Sequence, residues 1–245
     1  MVLLHPGQGG IVLWEPQFEE FARSHRVVCY DARGFGRSER PPQPYTFYAD
    51  LLAVLDALRI ERAGLVGLSL GGRTMLDFAL MYPDRVACLV LVNPGMSGYA
   101  FTGLDRYAAG IKDANERADL DAFVEVQLRM WFDGPTRDPA QVDRAQREEV
   151  RRATTEQMRR GFSGPLAPFT ELNAAERLAE IAAPTLVVEA ALDQLDIHAI
   201  CDLIVARVPG ASRVRIDGAA HLVNLEKPKE FAAAVLPFLA AHPGA

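Results

Sequence analysis

Apolar residues in this chain fall into short runs separated by longer amphipathic stretches. The runs at 2–4, 26–30, 63–66, 86–92, 184–189 and 212–216 are rich in Val, Leu and Ile and carry few charges. This pattern predicts strands covered on both faces. Between them, at 16–24, 46–58, 70–82, 172–181, 195–207 and 229–241, apolar residues recur at the three-to-four spacing of a buried helix face. Strand and helix patterns in alternation predict an α/β fold, a mostly parallel sheet with helices packed on both faces.

One stretch breaks the alternation. Residues 95–163 hold no strand pattern and are rich in Arg, Glu, Asp and Ala. Within them, 119–132 places Leu120, Phe123, Val124, Leu128 and Trp131 at helical spacing, and 141–160 reads as a charged helix ending at Gly161 before a loop with Pro165 and Pro168. The expected organisation is a core of 1–94 and 164–245 with a helical cap of 95–163 inserted over the sheet.

Composition narrows the function classes. A chain of 245 residues, 49% hydrophobic and 24% charged, is long enough for one folded core with an insertion. Twenty-six Lys and Arg against 32 Asp and Glu give a net charge of −6, without a long basic run, so a nucleic-acid partner is not expected. Cys29, Cys88 and Cys201 form no metal-binding or disulfide pattern and read as buried thiols of a cytoplasmic protein. No segment reads as a signal peptide or reaches the ~18 apolar residues of a membrane span.

The sharpest chemical signal is Gly67-Leu68-Ser69-Leu70-Gly71-Gly72, between a strand pattern and a helix pattern. A serine in so tight a turn projects its hydroxyl above the sheet edge, and glycines two residues either side leave it room. The Leu70 amide, at the start of the helix, is then placed to stabilise a developing oxyanion. Ser69 requires a base. Of five histidines, His221 in the loop after 212–216 is the candidate. His5 ends the first strand but, followed by Pro6 and Gly7, reads as a loop organiser, and His25, His198 and His242 read as solvated residues on or beside charged helices. Asp193, a few residues beyond 184–189, is the candidate acid. Asp196 competes, but it reads as the first turn of the next helix. Gly7 is the candidate second oxyanion donor, with Gln8 as the alternative.

With these residues the chain resembles the α/β-hydrolase superfamily. Asp31-Ala32-Arg33-Gly34-Phe35-Gly36-Arg37-Ser38 matches the family's loop after its fourth strand, and Leu225-Glu226-Lys227-Pro228 its stretch after the catalytic histidine. His5-Pro6, Trp14-Glu15-Pro16-Gln17, Tyr45-Thr46 and a short cap resemble the 3-oxoadipate enol-lactonase branch of esterases and lactonases. The resemblance implies a serine hydrolase of small esters or lactones that acts through an acyl-enzyme and needs no metal or organic cofactor. Carbon–carbon bond hydrolysis and a slow-turnover small-molecule receptor use the same residues and stay open. A nucleophilic Asp at the elbow would instead have implied a haloalkane dehalogenase or an epoxide hydrolase. Met96, Tyr99, Phe101, Met130, Trp131 and Phe132 are candidates for a substrate pocket, although Trp131 and Phe132 equally fit the role of pinning the cap. By the resemblance the chain starts at the third strand and lacks the usual N-terminal β-hairpin. An exposed sheet edge at 26–30 is therefore expected, open to pairing in a homo-oligomer.

Overall fold

The computed structural model describes residues 1–40, 43–161 and 172–244. Six strands form one sheet: β1 (Val2–Leu4), β2 (Val28–Cys29), β3 (Ala63–Leu68), β4 (Val86–Val92), β5 (Thr185–Ala190) and β6 (Ser212–Ile216). Their order is β2-β1-β3-β4-β5-β6, and every pairing is parallel. Side chains of the central strands alternate between two cores, as the two-residue repeat of a strand requires. On β4, Leu89 and Leu91 enter one core while Cys88, Val90 and Val92 enter the other. The first core is closed by α2 (Phe47–Ala57), α3 (Leu70–Met81) and α8 (Leu195–Arg207), through residues such as Leu51, Phe78 and Ile200. The second is closed by α1 (Glu15–Ala22) and α10 (Pro228–Ala241), with Phe21 stacked on Phe231.

The chain runs from β1 outward to β2 and then back across β1 to β3. The sheet therefore reverses its winding between β1 and β3, and loops leaving the carboxyl ends of those strands diverge to leave a crevice. His5, Pro6 and Gly7 follow β1, and Ser69 follows β3.

Several boundaries differ from the pattern-based expectation. Strand β2 is confined to Val28 and Cys29, at the sheet edge, because just beyond them the Ala32 amide donates to His5 Nε2 (3.0 Å) and the chain turns into the 31–38 loop. Strand β3 continues through Gly67 and Leu68, which pair with Leu91 and Val92, so the first glycine of the elbow is a ladder residue. The helix expected at 172–181 is α7 (Ala174–Arg177) followed by a 3-10 turn, Leu178–Glu180. Cys29 is half-buried, whereas Cys88 and Cys201 are buried as expected. Burial pushes the Cys29 thiol up to about 12 and Cys88 up to about 11.

The cap holds α4 (Asp105–Glu116), α5 (Leu120–Leu128) and α6 (Arg144–Gly161). Helix α4 was not singled out in the sequence because it is mostly polar and buries only Ala114. The helix expected at 119–132 stops being α-helical at Leu128 and continues as a π-turn, Arg129–Asp133, closed by Gly134 at φ +78°. A short helix, α9 (Val223–Glu226), precedes α10. The loop with Pro165 and Pro168, and the expected cap end at 163, lie outside the described residues. Among the described residues no helix is long and apolar enough to cross a membrane.

His5 is fully buried and bonded at both nitrogens: Nε2 accepts from Ala32, so Nδ1 carries the hydrogen and donates to the Pro6 carbonyl (2.7 Å). Burial holds its pKa below the ordinary 6.5. In the window below 6.5 the unfolded chain binds a proton that the folded chain refuses, so stability is fully present above 6.5 and falls on acidification. The expected slope for this one group is about 1.4 kcal/mol per pH unit until the folded group itself titrates. His5→Asn keeps a donor and an acceptor but cannot titrate. Urea unfolding at about pH 7.5 and about pH 5.5 should show a smaller loss of stability in the variant than in the wild type.

Candidate active site

Ser69 is the single residue between β3 and α3, with φ 54° and ψ −110°. That conformation is strained for any residue with a Cβ, and it persists because its surroundings are packed to contact. A Cβ on Gly67 would lie 2.4 Å from the Gly71 carbonyl, one on Gly71 2.2 Å from the Leu4 oxygen, and one on Gly72 2.7 Å from Pro94 Cβ. The turn is tied down by the Ser69 amide, which donates to Val92, and by the Ser69 carbonyl, which accepts from Arg73 and Gly95. Leu70 is the first residue of α3, so its amide is one that a helix leaves without an intrahelical acceptor. The close contact of Gly71 with Leu4 and the His5 carbonyl sets α3 beside the loop that carries Gly7.

His221 and Asp193 meet from separate loops. His221 Nδ1–H donates to Asp193 Oδ2 (2.7 Å), and both side chains are buried. Asp193 Oδ1 accepts from the Gln194 amide (2.7 Å), so both carboxylate oxygens are engaged. With Nδ1 as donor, the lone pair of the neutral ring sits on Nε2. That nitrogen is buried and makes no hydrogen bond among the described residues, the Ser69 hydroxyl included. The Trp131 ring packs on the imidazole at 4.4 Å between centroids.

Asn93 joins these loops to the elbow. It follows β4 at φ 40°, is fully buried, donates to the His221 carbonyl (2.8 Å) and accepts from the Ala190 amide (2.8 Å). Its neighbour Val92 receives the Ser69 amide, so one residue step connects Ser69 with the strand ends bearing Asp193 and His221. Sequence reasoning passed over Asn93; an Asn directly before Pro94 at a strand's end was the available signal.

The other candidates fall as follows. Asp196 accepts from the Thr102 and Gly103 amides and the Tyr99 hydroxyl, so it organises the base of the cap. Among the described residues, Gly7 is partly exposed with nothing within 4 Å of a Cβ placed on it, while Gln8 is buried with an Oε1 that accepts no hydrogen bond. Met96 and Phe132 are buried in the two hydrophobic cores, Met130 is buried, and Tyr99 and Phe101 form an edge-to-face pair. His198, expected to be solvated, instead has Nδ1 2.6 Å from buried Glu189, which must keep such partners. His242 donates to the Phe238 carbonyl, and His25 bonds the Ser24 hydroxyl.

The whole arrangement has known relatives. The model of the alpha/beta hydrolase fold family matches residues 1–228, and the chain belongs to that family. A RutD protein of Azorhizobium caulinodans, named as a carbamate hydrolase, is 30% identical over 244 residues, covering 97% of this chain and 90% of the relative. The 3-oxoadipate enol-lactonase 1 of Acinetobacter baylyi is 27% identical over 221 residues, 89% of this chain and 80% of the relative. Among solved structures, a hydrolase of Pseudomonas aeruginosa superposes with a TM-score of 0.81 at 34% identity, covering 97% of this chain and 88% of that one. The enol-lactonase of Burkholderia xenovorans gives 0.82 at 26% identity, with 98% and 90% covered. The chain is thus an α/β-fold hydrolase, similar to lactonases, esterases and carbamate hydrolases.

The elbow's dependence on glycine is testable apart from activity. Gly71→Ala forces a Cβ into backbone and should destabilise by about 3 kcal/mol. Gly7→Ala enters open space at an ordinary φ and should stay within about 0.5 kcal/mol of wild type. Denaturant midpoints of the two variants measure the contrast, and equal losses would contradict it.

Proposed function

We propose that the protein is a serine hydrolase of small carboxylic esters or lactones, with Ser69 as nucleophile, His221 as base and Asp193 as the acid that orients it. The observation that carries this reading is the buried His221–Asp193 pair, whose free imidazole Nε2 has no hydrogen-bond partner among the described residues, at the same sheet edge as the strained turn of Ser69. Ser69 Oγ attacks the carbonyl carbon as its proton passes to His221 Nε2. The carbonyl π pair moves onto oxygen, where the Gly7 and Leu70 amides stabilise it. Collapse expels the alkoxide, which takes the proton back from His221, and leaves an acyl-Ser69. Water deprotonated by the same nitrogen then releases the acid. In a lactone the leaving alkoxide stays tethered, so one hydroxy acid is the product. Asp193 holds Nδ1–H and stabilises the imidazolium formed twice per cycle. Three free thiols suit a reducing compartment, and we place the activity in the cytoplasm.

Carbamates are a second reading, favoured by the RutD relatives. They use the same nucleophile and form a carbamoyl-Ser69 that is electronically less open to water, so its second step is slower. Steady-state rates on p-nitrophenyl acetate and butyrate, simple lactones and an aryl carbamate separate the two. Rapid cycling on esters and lactones with a stall on the carbamate supports the first, and the reverse supports the second. A burst of one equivalent on every substrate would indicate a receptor.

Ser69→Ala should abolish turnover with the melting temperature nearly unchanged, and a fluorophosphonate should label the wild type at Ser69. Asp193→Asn, which favours the wrong imidazole tautomer, should lower kcat by roughly 10⁴. Asp196→Asn should cost less than about tenfold, since its contacts lie with the cap base. Full activity in Asp193→Asn would overturn the assignment.

A further inference from the structure

The π-turn Arg129–Asp133 and the residues after it touch both loops of the buried pair. Gly134 fits so closely that a Cβ there would lie 2.6 Å from the Leu192 carbonyl and 3.0 Å from Ala220 Cβ, the neighbours of Asp193 and His221. Gln194 Nε2 donates to the Met130 carbonyl (2.6 Å) on one side. On the other, Arg137 grips the turn from behind: Nε donates to the Asp133 carbonyl (2.7 Å) and Nη2 to the Phe132 carbonyl (2.6 Å). The same guanidinium is bidentate to Glu226 (2.6 and 3.2 Å), and Glu226 Oε1 accepts from the Ala220 amide (2.7 Å). Arg137 and Glu226 are only 12% and 8% exposed. So shielded an ion pair is weak evidence for a gain in stability, yet it is stiff and directional.

We propose that Arg137 and Glu226 are positioning residues that lock the His221 loop to the π-turn of the cap. The pair fixes the amide directly before His221 and, through the Phe132 and Asp133 carbonyls, the backbone on which Trp131 packs against the imidazole. It thereby sets where Nε2 points, without touching substrate. A misplacement of about 1 Å in a reacting group costs on the order of a hundredfold in rate, so the chemical step should respond to this pair. The inference rests on the serine-hydrolase reading above.

The test is fluorophosphonate labelling of Ser69, which needs the base but no knowledge of the natural substrate. Arg137→Met should lower the maximal labelling rate by about ten- to a hundredfold, with the half-saturating concentration changed less than about threefold. Glu226→Gln keeps an acceptor for Ala220 and should lose about fivefold or more. Arg137→Lys, which keeps the charge but loses the fork, should fall between wild type and Arg137→Met. The control is Arg85→Met, which removes bonds to the Asp56 carboxylate and to the Ile60 and Glu61 carbonyls, away from both the π-turn and the His221 loop. It should lower the melting temperature and leave the labelling rate intact. If Arg137→Met does not fold, Glu226→Gln decides. A wild-type labelling rate in either folded variant, or an equal loss in Arg85→Met, would overturn the positioning role. Failure of the wild type to label at Ser69 would instead overturn the hydrolase reading itself.

Discussion

The contact of α3 with the carboxyl ends of β1 and β4 is the constraint on which the site depends. A parallel strand that hands directly to a helix gives the backbone one residue in which to reverse, and Ser69 takes the strained conformation that this requires. Its cost is met because Gly67, Gly71 and Gly72 let backbone approach backbone at distances no side chain would allow. A Cβ on Gly71 would push α3 away from Leu4, the residue before His5 and its loop. The amide at the helix start and the loop carrying Gly7 would separate together. The glycines thus set the width of the crevice as well as the pose of one hydroxyl.

Charge holds the cap where apolar surface is scarce. Helix α6 is strongly polar, and what it buries includes Thr154 and Gln157, the latter bonded to the Gly34 carbonyl and the Gly36 amide of the 31–38 loop. Asp133, with no exposed surface, is gripped twice by Arg147 and approached by Arg129. Hydrogen bonds to Asp133 hold the Arg147 pKa above its ordinary value. Burial acts against the charge of Glu125, but its bonds with Arg147 and Arg151 outweigh that and keep it low. Each of these groups would be costly to bury alone, and together they admit few alternative arrangements of the cap.

The sheet, the elbow and the positions of Asp193 and His221 were legible because each is written in a few neighbouring residues. A Val-rich run, a glycine pair around a serine, and a histidine in a short loop after a strand are local patterns. The residues that tie these pieces together were not legible for the opposite reason. Asn93 meets His221 across 128 positions and Arg137 meets Glu226 across 89, and nothing in either neighbourhood marks the partner. Helix α4 was not picked out individually because it is polar over most of its length and buries only Ala114, so few apolar residues mark it. The π-turn was missed because its extra residue per turn shifts the apolar phase just where the helix pattern seemed to continue. In the same way His198 looked like a surface residue of α8 until β5 placed Glu189 beneath it.

The position of the π-turn has a consequence for how specificity varies on this scaffold. A cap that touched only substrate would let binding change while the chemical step stayed constant. Here the turn that carries Trp131 also abuts Leu192 and Ala220, and its carbonyls are held by Arg137 and Gln194. On the proposed mechanism, a substitution at Trp131, which packs on the imidazole, therefore acts on the backbone that supports His221. Substitutions in 129–137 should act on kcat together with KM, whereas those in α4, whose hydrogen bond to this apparatus among the described residues is that of the Tyr107 hydroxyl with Gln194 (3.2 Å), should act mainly on KM. If the proposed reaction holds, selection for a new substrate on this fold would accordingly find its freest positions in α4 and its most constrained ones at the π-turn.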